Sequence, residues 1–332
     1  MMTLLGRTEM QLNKLNEEND LLPINQGYNN TFQLNRLSLG IVVPLENYAK
    51  GSVPTMNHHI ERVQLAEALG FSAIWLRDVP FNVSTFGDAG QVFDPFVYLG
   101  LLAASTKSIA LGVASIVLPL RHPAHVAKAA ASVDVLSDGR LIMGVASGDR
   151  PEEYPALNLP FEDRGTRFRE SFEYITRMSE NTPVFKNMHG SPDSSMDMLP
   201  KPTAGKVPML ITGGSQQAPD WIAVNGDGWI TYPRSVATQS RIINDWRERI
   251  HSAGGAAKPA VQSLYIDLLD DPDAVPQPIH LGFRLGMNHL RDYLTSLENI
   301  GINHVALNLR FNQANVEDTL KRLSDELLPD FS

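Results

Sequence analysis

Cysteine is missing from the 332 residues of the sequence. Without a thiol the chain cannot form disulfide bonds, use a thiolate nucleophile, or ligate zinc or an iron–sulfur cluster through sulfur. His122 and His125 lie three residues apart and His58 precedes His59. No HExxH pattern or Asp-rich calcium loop accompanies them to supply the further ligands that a divalent ion needs. The sequence therefore predicts that no metal is bound.

The sequence also has no basic block and no long apolar run at its start. The net charge is -9, which argues against nucleic acid or an anionic membrane surface as a partner. Residues 1–20 are polar and include Asn13, Asn16 and Asn19, so they match neither a signal peptide nor a membrane span. We expect a cytoplasmic protein that acts on a small-molecule substrate.

Hydrophobic residues make up 43% of the chain, enough to bury a large core. From residue 37 onward, short apolar runs alternate with segments of helical periodicity, which is typical of βα units around a parallel sheet. The predicted strands are 37–44, 72–76, 109–114, 141–146, 207–212, 228–232, 261–268 and 304–309. The predicted helices are 57–69, 94–105, 122–136, 163–178, 216–225, 235–251, 284–298 and 316–327. Eight pairs predict one α/β domain over 37–332, a (β/α)8 TIM barrel.

The residues at the helix ends agree with these boundaries. Three residues are expected to cap helix starts: Asn57, Asp94 and Asp163. Three glycines are expected to adopt a left-handed conformation at helix ends: Gly70, Gly139 and Gly226. Two segments fall outside the scheme: an N-terminal extension over 1–36, and an insertion over 181–206 between strands four and five. Both are predicted to be loops or short accessory structure.

The active site of such a barrel lies at the carboxyl ends of the strands, where the βα loops gather. Strand three ends at Ala114 and Ser115, whose small side chains permit close approach of a ligand. Small residues there also serve simply to pack the barrel mouth. Strand two is followed by Arg77 and Asp78, which could bind a substrate or only pair their charges at the rim.

The loop after strand four is polar. Its amides, with Ser147, Gly148 and Asp149, could hold an anion or an amide-bearing ring, and Tyr154 could add a flat surface. An ordinary solvated turn has the same composition. A serine hydrolase is not supported, because Ser147 falls one place late for the Gly-x-Ser-x-Gly turn.

The turn after strand five is rich in glycine. Gly213 and Gly214 let the backbone approach a phosphate, and Ser215 and Gln216 lead into a predicted helix whose first amides are free to donate. A tight βα turn that needs glycine only for its backbone angles is the alternative. The spacing matches neither a Walker nor a Rossmann pattern.

Taken with their flanks, these loops resemble the bacterial-luciferase-like flavin-dependent monooxygenases, from about residue 37 to the C-terminus. The most specific stretch is 111–148, and a second match runs over 208–219 and 225–230. The resemblance implies a barrel that uses reduced FMN, supplied by a separate flavin reductase, or a deazaflavin, coenzyme F420. A homo-oligomer is compatible with this class.

Carried over to this sequence, the family's non-prolyl cis peptide falls at Ala114–Ser115, residues 147–149 contact the cofactor, and residues 213–216 hold its phosphate. Where luciferases proper carry a catalytic histidine pair, this chain has Asp78 and Val79. Asp78 and Arg77 are therefore the candidate catalytic residues. Three alternatives stay open: an F420-dependent dehydrogenase, a flavin-binding protein without catalysis, and a barrel hydrolase or aldolase for a phosphorylated substrate.

Overall fold

A computed structural model describes residues 21–51, 53–86 and 90–331. The strands in this part are β1 (Ser38–Val42), β2 (Ala73–Leu76), β3 (Ala110–Val117), β4 (Leu141–Ala146), β5 (Met209–Thr212), β6 (Gly228–Thr231), β7 (Ala260–Leu268), β8 (Gln277–Ile279), β9 (Gly282–Leu285) and β10 (His304–Asn308). Strands β1 to β7 are parallel neighbours in chain order, and β10 pairs with both β1 and β7. This ring closes the predicted (β/α)8 barrel.

Helices cover the outside of the ring. They are α1 (Gln26–Thr31), α2 (His59–Ala68), α3 (Pro95–Ser105), α4 (Pro123–Leu136), α5 (Glu153–Ala156), α6 (Arg164–Met178), α7 (Pro219–Asn225), α8 (Val236–Ser252), α9 (Met287–Asn299) and α10 (Val316–Glu326). Eight of them follow the barrel strands as predicted, and α1 and α5 are additional. Short 3₁₀ turns lie at Ser84–Phe86, Leu118–Leu120 and Leu328–Asp330.

Only one of the three predicted helix caps is confirmed. The Asp94 carboxylate accepts a bond of 3.0 Å from the amide of Phe96 at the start of α3. Helix α2 begins at His59, two residues after the predicted start. His58 before it is left-handed with φ 55°, so Asn57 does not cap it. Asp163 precedes α6, but its side chain accepts no capping bond.

The glycines at helix ends follow the prediction in two of three places. Gly70 and Gly139 have φ of 92° and 76°, in the left-handed region. Gly226 has an ordinary φ of -69°. A Cβ there would lie 3.0 Å from both the Gly228 carbonyl oxygen and an Ile211 methyl carbon, so close packing rather than backbone angle requires this glycine.

A hairpin lies where the sequence predicts the start of a helix. Strands β8 and β9 pair antiparallel, and β9 also pairs in parallel with the second half of β7. The predicted helix 284–298 therefore begins at Met287, and Arg284 belongs to β9. Gly282 makes the close β7–β9 approach, since a Cβ there would lie 1.8 Å from the carbonyl oxygen of Tyr265.

Helix α1 closes the amino-terminal end of the barrel. Tyr28 and Phe32 are buried in the cluster that fills the barrel interior. The Tyr28 hydroxyl donates to the Asp227 carbonyl just before β6, at 2.9 Å, and the Gly27 amide donates to the Gly139 carbonyl just before β4, at 2.8 Å. Residues 1–20 of the predicted extension lie outside the described part, whereas residues 26–31 form this plug.

A chain of hydrogen bonds ties α1 to the barrel interior. The Trp75 indole donates to Nε2 of His304 at 2.8 Å, so that nitrogen carries no proton and the ring is neutral. Nδ1 lies 2.7 Å from the Ser38 hydroxyl, which itself donates to the Thr31 carbonyl at 2.6 Å. His304 is fully buried, and burial lowers the pKa of its ring to about 3.

This buried histidine makes the fold sensitive to acid. The unfolded chain takes up a proton near the ordinary value of 6.5, whereas the folded chain does so only near 3, so the free energy of unfolding falls as the pH drops through that window. The slope is about 1.4 kcal/mol per pH unit, or about 2 kcal/mol between pH 6.5 and pH 5. We expect His304→Gln to remove this slope.

Urea unfolding between about pH 5 and 7 tests the prediction, since glutamine does not titrate. The difference in unfolding free energy between wild type and His304→Gln should narrow as the pH falls. The exposed His251 in the last turn of α8 provides a control, because His251→Gln should run parallel to wild type. Parallel curves for His304→Gln would contradict the prediction.

Candidate functional site

A cavity of about 520 Å³ opens at the carboxyl ends of the strands. Its size falls within the usual range for cofactor and small-molecule sites. Its walls come from the loops after β2, β4, β5 and β6, and from the outer half of β3. The ends of β7 and β10 and the β8–β9 hairpin complete them. The predicted site residues that line it are Arg77, Asp78, Ala114, Ser115, Ser147, Gly148, Asp149, Gly213, Gly214, Ser215 and Gln216. Predicted residues from three loops and the outer half of β3 thus meet in one place.

The cavity floor is formed by the outer half of β3. The strand runs on to Val117, beyond the predicted end, with a register shift against β4 between Val113 and Ile116. The Ala114–Ser115 peptide within this shift is cis and non-prolyl, as the resemblance implies. Ser115 is hydrogen-bonded through its hydroxyl to the hydroxyl of Thr212 on β5. Both residues of the peptide are half-buried, so a ligand can contact them.

Tyr154 lies behind the β4 loop rather than in the cavity. Its side chain is fully buried, its hydroxyl donates to the Ser147 carbonyl, and its ring packs edge-on against Phe161. Burial raises the pKa of this phenol to about 12. The predicted flat surface for a ligand is therefore absent, and Tyr154 instead supports the loop that carries Ser147 and Gly148.

The glycine-rich turn faces open space. Gly213, Ser215 and Gln216 all have positive φ, at 54°, 40° and 58°. A Cβ added to Gly214 would meet no atom within 4 Å. The turn does not feed directly into a helix as predicted, because α7 begins only at Pro219. The Gly213 amide donates to the Ile230 carbonyl at 2.8 Å. Donors for an anion would therefore be the amides of residues 214–216, in the concave arrangement that left-handed residues produce, rather than a helix end.

Asp78 is paired, and its partner is not Arg77. The Asp78 side chain is 1% exposed, and its two carboxylate oxygens lie 2.7 Å from Nη2 and 3.0 Å from Nε of Arg121. The Val117 amide donates to it at 3.1 Å. Arg121 also reaches Asp94 at 2.8 Å. Burial lowers the pKa of Arg121, but bonds to these two carboxylates outweigh that effect and raise it.

The profile of the luciferase-like monooxygenase family matches residues 37–319. The chain belongs to that family. A relative from Mycobacterium tuberculosis (strain ATCC 25618 / H37Rv), itself uncharacterized, is 29% identical over 238 residues, 66% of this chain and 82% of the relative. The resemblance read from the sequence is confirmed.

Two further proteins similar to this luciferase-like chain carry cofactors in their names. The F420-dependent hydroxymycolic acid dehydrogenase of M. tuberculosis is 28% identical over 202 residues, 59% of this chain and 53% of the relative, so the match spans about half of that enzyme. The oxygenating constituent of 3,6-diketocamphane monooxygenase of Pseudomonas putida, solved with FMN, has a TM-score of 0.72 at 14% identity. It covers 90% of this chain and 99% of its own, which establishes the shared fold.

One residue in this luciferase-like cavity has no counterpart among the predicted site residues. Glu153 lines the cavity although it is only 2% exposed. Burial raises the pKa of its carboxyl to about 7, the Arg150 charge opposes this, and the charges of Asp78 and Asp149 add to it. In the sequence Glu152 and Glu153 look alike, as two acids in a polar loop. Only the fold separates the exposed one from the buried one.

The sequence also contains no indication of an aromatic part of the cavity wall. The β8–β9 hairpin brings His280 to the cavity, with its ring centroid 5.7 Å from that of Tyr265 at the end of β7. Tyr265 in turn packs on Phe311, 5.2 Å between centroids. Tyr232, after β6, is the third of these rings that lines the cavity, since Phe311 does not line it. This aromatic wall depends on the hairpin, for which the sequence carries no periodic signal.

The described residues contain neither a cluster suited to a metal ion nor a helix suited to crossing a membrane. In residues 21–51, 53–86 and 90–331, no group of three His, Asp or Glu side chains is placed to hold a metal ion. No helix in the same part of the chain is both long and apolar enough to cross a bilayer.

Proposed function

We propose that the protein is an FMN-dependent monooxygenase that works in the cytoplasm. It takes reduced FMN from a separate flavin reductase and transfers one oxygen atom to a small organic substrate. The observation that carries the proposal is that one cavity joins the glycine-rich turn to the half-buried Ala114–Ser115 floor. A phosphate-binding turn at one end and small residues at the other suit a flat ring with a phosphate tail.

The residues present fit such a ligand. The turn of residues 213–216 has open space in front of Gly214 and would hold the phosphate through the amides of residues 214–216. The ring would lie on Ala114–Ser115, with Ser147 and Asp149 at its edge. Reduced flavin, when bound, supplies the electrons and the activation of oxygen. The protein's part is to bind, to orient and to keep water out, while Tyr154 stiffens the loop from behind.

Asp78 and Arg77 take different places in this proposal. Asp78 acts as a positioning residue, since Arg121 and the Val117 amide occupy its oxygens. Arg77 is half-buried at the cavity, and its charge acts on the Tyr232 hydroxyl there. It is the cation that we propose to face the substrate.

An F420-dependent dehydrogenase is the second candidate. It is favoured by the relative that is named for this cofactor and matches 59% of the chain. The two functions differ in chemistry, because a deazaflavin passes hydride without activating oxygen. A flavin-binding protein without turnover is the third reading.

The deciding experiment is a binding titration of the purified protein with FMN and with F420, each oxidised and reduced. Oxygen uptake is then followed with each reduced cofactor over a panel of small organic substrates. The proposal expects tighter binding of reduced FMN and substrate-dependent oxygen uptake. Binding of F420 alone, with substrate oxidation in the absence of oxygen, would replace it by the dehydrogenase. Binding of neither would exclude both.

The floor of the cavity gives a direct prediction. Ala114 is half-buried at the cavity surface, so Ala114→Trp should fill the ring position and lower FMN affinity by about 100-fold, equivalent to roughly 3 kcal/mol. Fluorescence quenching of FMN measures this. Ala253→Trp, at the exposed end of α8, should bind FMN as wild type does. A folded Ala114→Trp protein with unchanged affinity would place the ring elsewhere.

A further inference from the structure

Glu153 is the first residue of α5, directly after the β4 loop, and it faces the cavity. Its Oε1 atom is buried and has no hydrogen-bond partner. Nη1 of Arg150 forms an ion pair with Oε1 at 3.7 Å, beyond hydrogen-bond distance. A buried carboxyl oxygen with no hydrogen bond is costly if charged, unless a nearby charge or a proton compensates it.

The charges around Glu153 come from two segments, the loop after β4 and the end of β2. Arg150 lies on the same loop, with its guanidinium carbon 4.3 Å from the centre of the Phe86 ring. Asp149 precedes it on that loop, and Asp78 approaches from the end of β2. Asp78 is already paired with Arg121 at 2.7 Å. Two carboxylates and one nearby guanidinium thus surround a carboxyl that is itself 2% exposed.

We propose that Glu153 is the acid–base group of this cavity, the residue that gives a proton to, or takes one from, the reacting oxygen. The proposal rests on the proposed function and names the proton donor that the missing histidine pair leaves open. Two charge-assisted hydrogen bonds from Arg121 fix Asp78, whereas Glu153 lines the cavity and is paired with Arg150 only at 3.7 Å, with no hydrogen bond to its Oε1. A pKa near 7 lets it exchange a proton at neutral pH.

The reaction balances with this assignment. In the monooxygenase, substrate, O₂ and reduced flavin give oxygenated substrate, water and oxidised flavin. The reduced flavin would supply both electrons and one proton of the water, and the protonated Glu153 would give the other proton and then regain one from solvent. In the dehydrogenase, a deazaflavin would accept the hydride of an alcohol, and the Glu153 carboxylate would take the hydroxyl proton. The electrons never pass through Glu153.

The first test needs no cofactor. The pKa of Glu153 is raised from 4.5 to about 7 in the folded chain, so its contribution to stability is present below pH 4.5 and is lost as the pH rises through 7. Thermal unfolding of the cofactor-free protein is measured from about pH 5 to 8 for wild type, Glu153→Gln and Glu152→Gln. Relative to wild type, Glu153→Gln should gain several degrees in Tm as the pH rises. Glu152→Gln, at an exposed position, should run parallel to wild type.

The second test uses turnover with the substrate found by screening. Glu153→Gln should lower kcat by about 100-fold or more while FMN affinity stays within about twofold, as loss of a general acid–base group predicts. Wild-type kcat should fall above pH 7 if Glu153 acts as an acid, and below pH 7 if it acts as a base. Glu153→Asp should recover part of kcat with a shifted pH profile.

The two proposals fail separately. Absence of binding to FMN and F420 removes the proposed function, whatever the unfolding curves show. Normal cofactor binding with wild-type kcat and pH profile in Glu153→Gln overturns the role of Glu153 and leaves the function standing. Parallel Tm curves for Glu153→Gln and Glu152→Gln would equally overturn it, because the carboxyl would then titrate at its ordinary pH.

Discussion

Replacing Gly214 with glutamate is expected to weaken FMN binding by about 100-fold or more without unfolding the protein. The folded chain has room for the side chain, because a Cβ at Gly214 would meet no atom within 4 Å. The backbone accepts it as well, since Gly214 does not have the positive φ of Gly213 and Ser215. The new carboxylate would stand where the proposed phosphate sits, and two like charges in one site cost several kcal/mol.

Two control variants separate the effect of a carboxylate at this position from that of added side-chain volume and from that of a more negative protein. Gly214→Ala adds a methyl group to the same open space and should bind FMN as wild type does. Gly100→Glu adds the same charge on α3, where a Cβ also meets no atom within 4 Å, and should leave affinity unchanged. Calorimetric titration with FMN measures all three, and circular dichroism checks the fold. Equal affinity of Gly214→Glu and wild type would move the phosphate away from this turn.

The barrel could be predicted because its signals are local. Each βα unit is a short apolar run followed by a helical repeat, and all eight strands lie within a few residues of the predicted ranges. The glycine turn could be located for the same reason, because its two glycines directly follow the apolar run that predicts β5. Its separation from α7 could not, because Gln216 to Ala218 read equally well as a first helical turn.

Contacts between distant segments carry no such signal. Asp78 pairs with Arg121, 43 residues further along, whereas the sequence suggests its neighbour Arg77. Residues 26–31 look like part of a polar extension, yet Tyr28 of this segment fills the barrel. Glu153 differs from Glu152 only in the direction it faces. In each case the decisive quantity is burial, which depends on how the whole chain packs rather than on the nearby residues.

Breaking the Asp78–Arg121 pair should be the most damaging single change to stability at the site. Arg121→Met keeps the length of the side chain and removes its charge, which leaves the Asp78 carboxylate, 1% exposed, with the Val117 amide as its described hydrogen bond. Removing one partner of a buried pair costs about 3–5 kcal/mol. Arg121 is 25% exposed and water can enter in its place, so we expect about 3 kcal/mol, the lower end of that range.

Urea unfolding of four proteins resolves this energy. Asp94→Asn removes the charge of the exposed partner of Arg121, whose side chain is 42% exposed. Asparagine keeps an oxygen that can cap α3, so this change should lower the unfolding free energy by less than about 1 kcal/mol. The double variant Arg121→Met with Asp78→Asn should recover most of the loss, because no unpaired charge stays buried. An Arg121→Met protein as stable as wild type would mean that water already reaches the Asp78 carboxylate. Asp78 would then be free for the catalytic role that the sequence suggests, and the proton assignment to Glu153 would have a competitor.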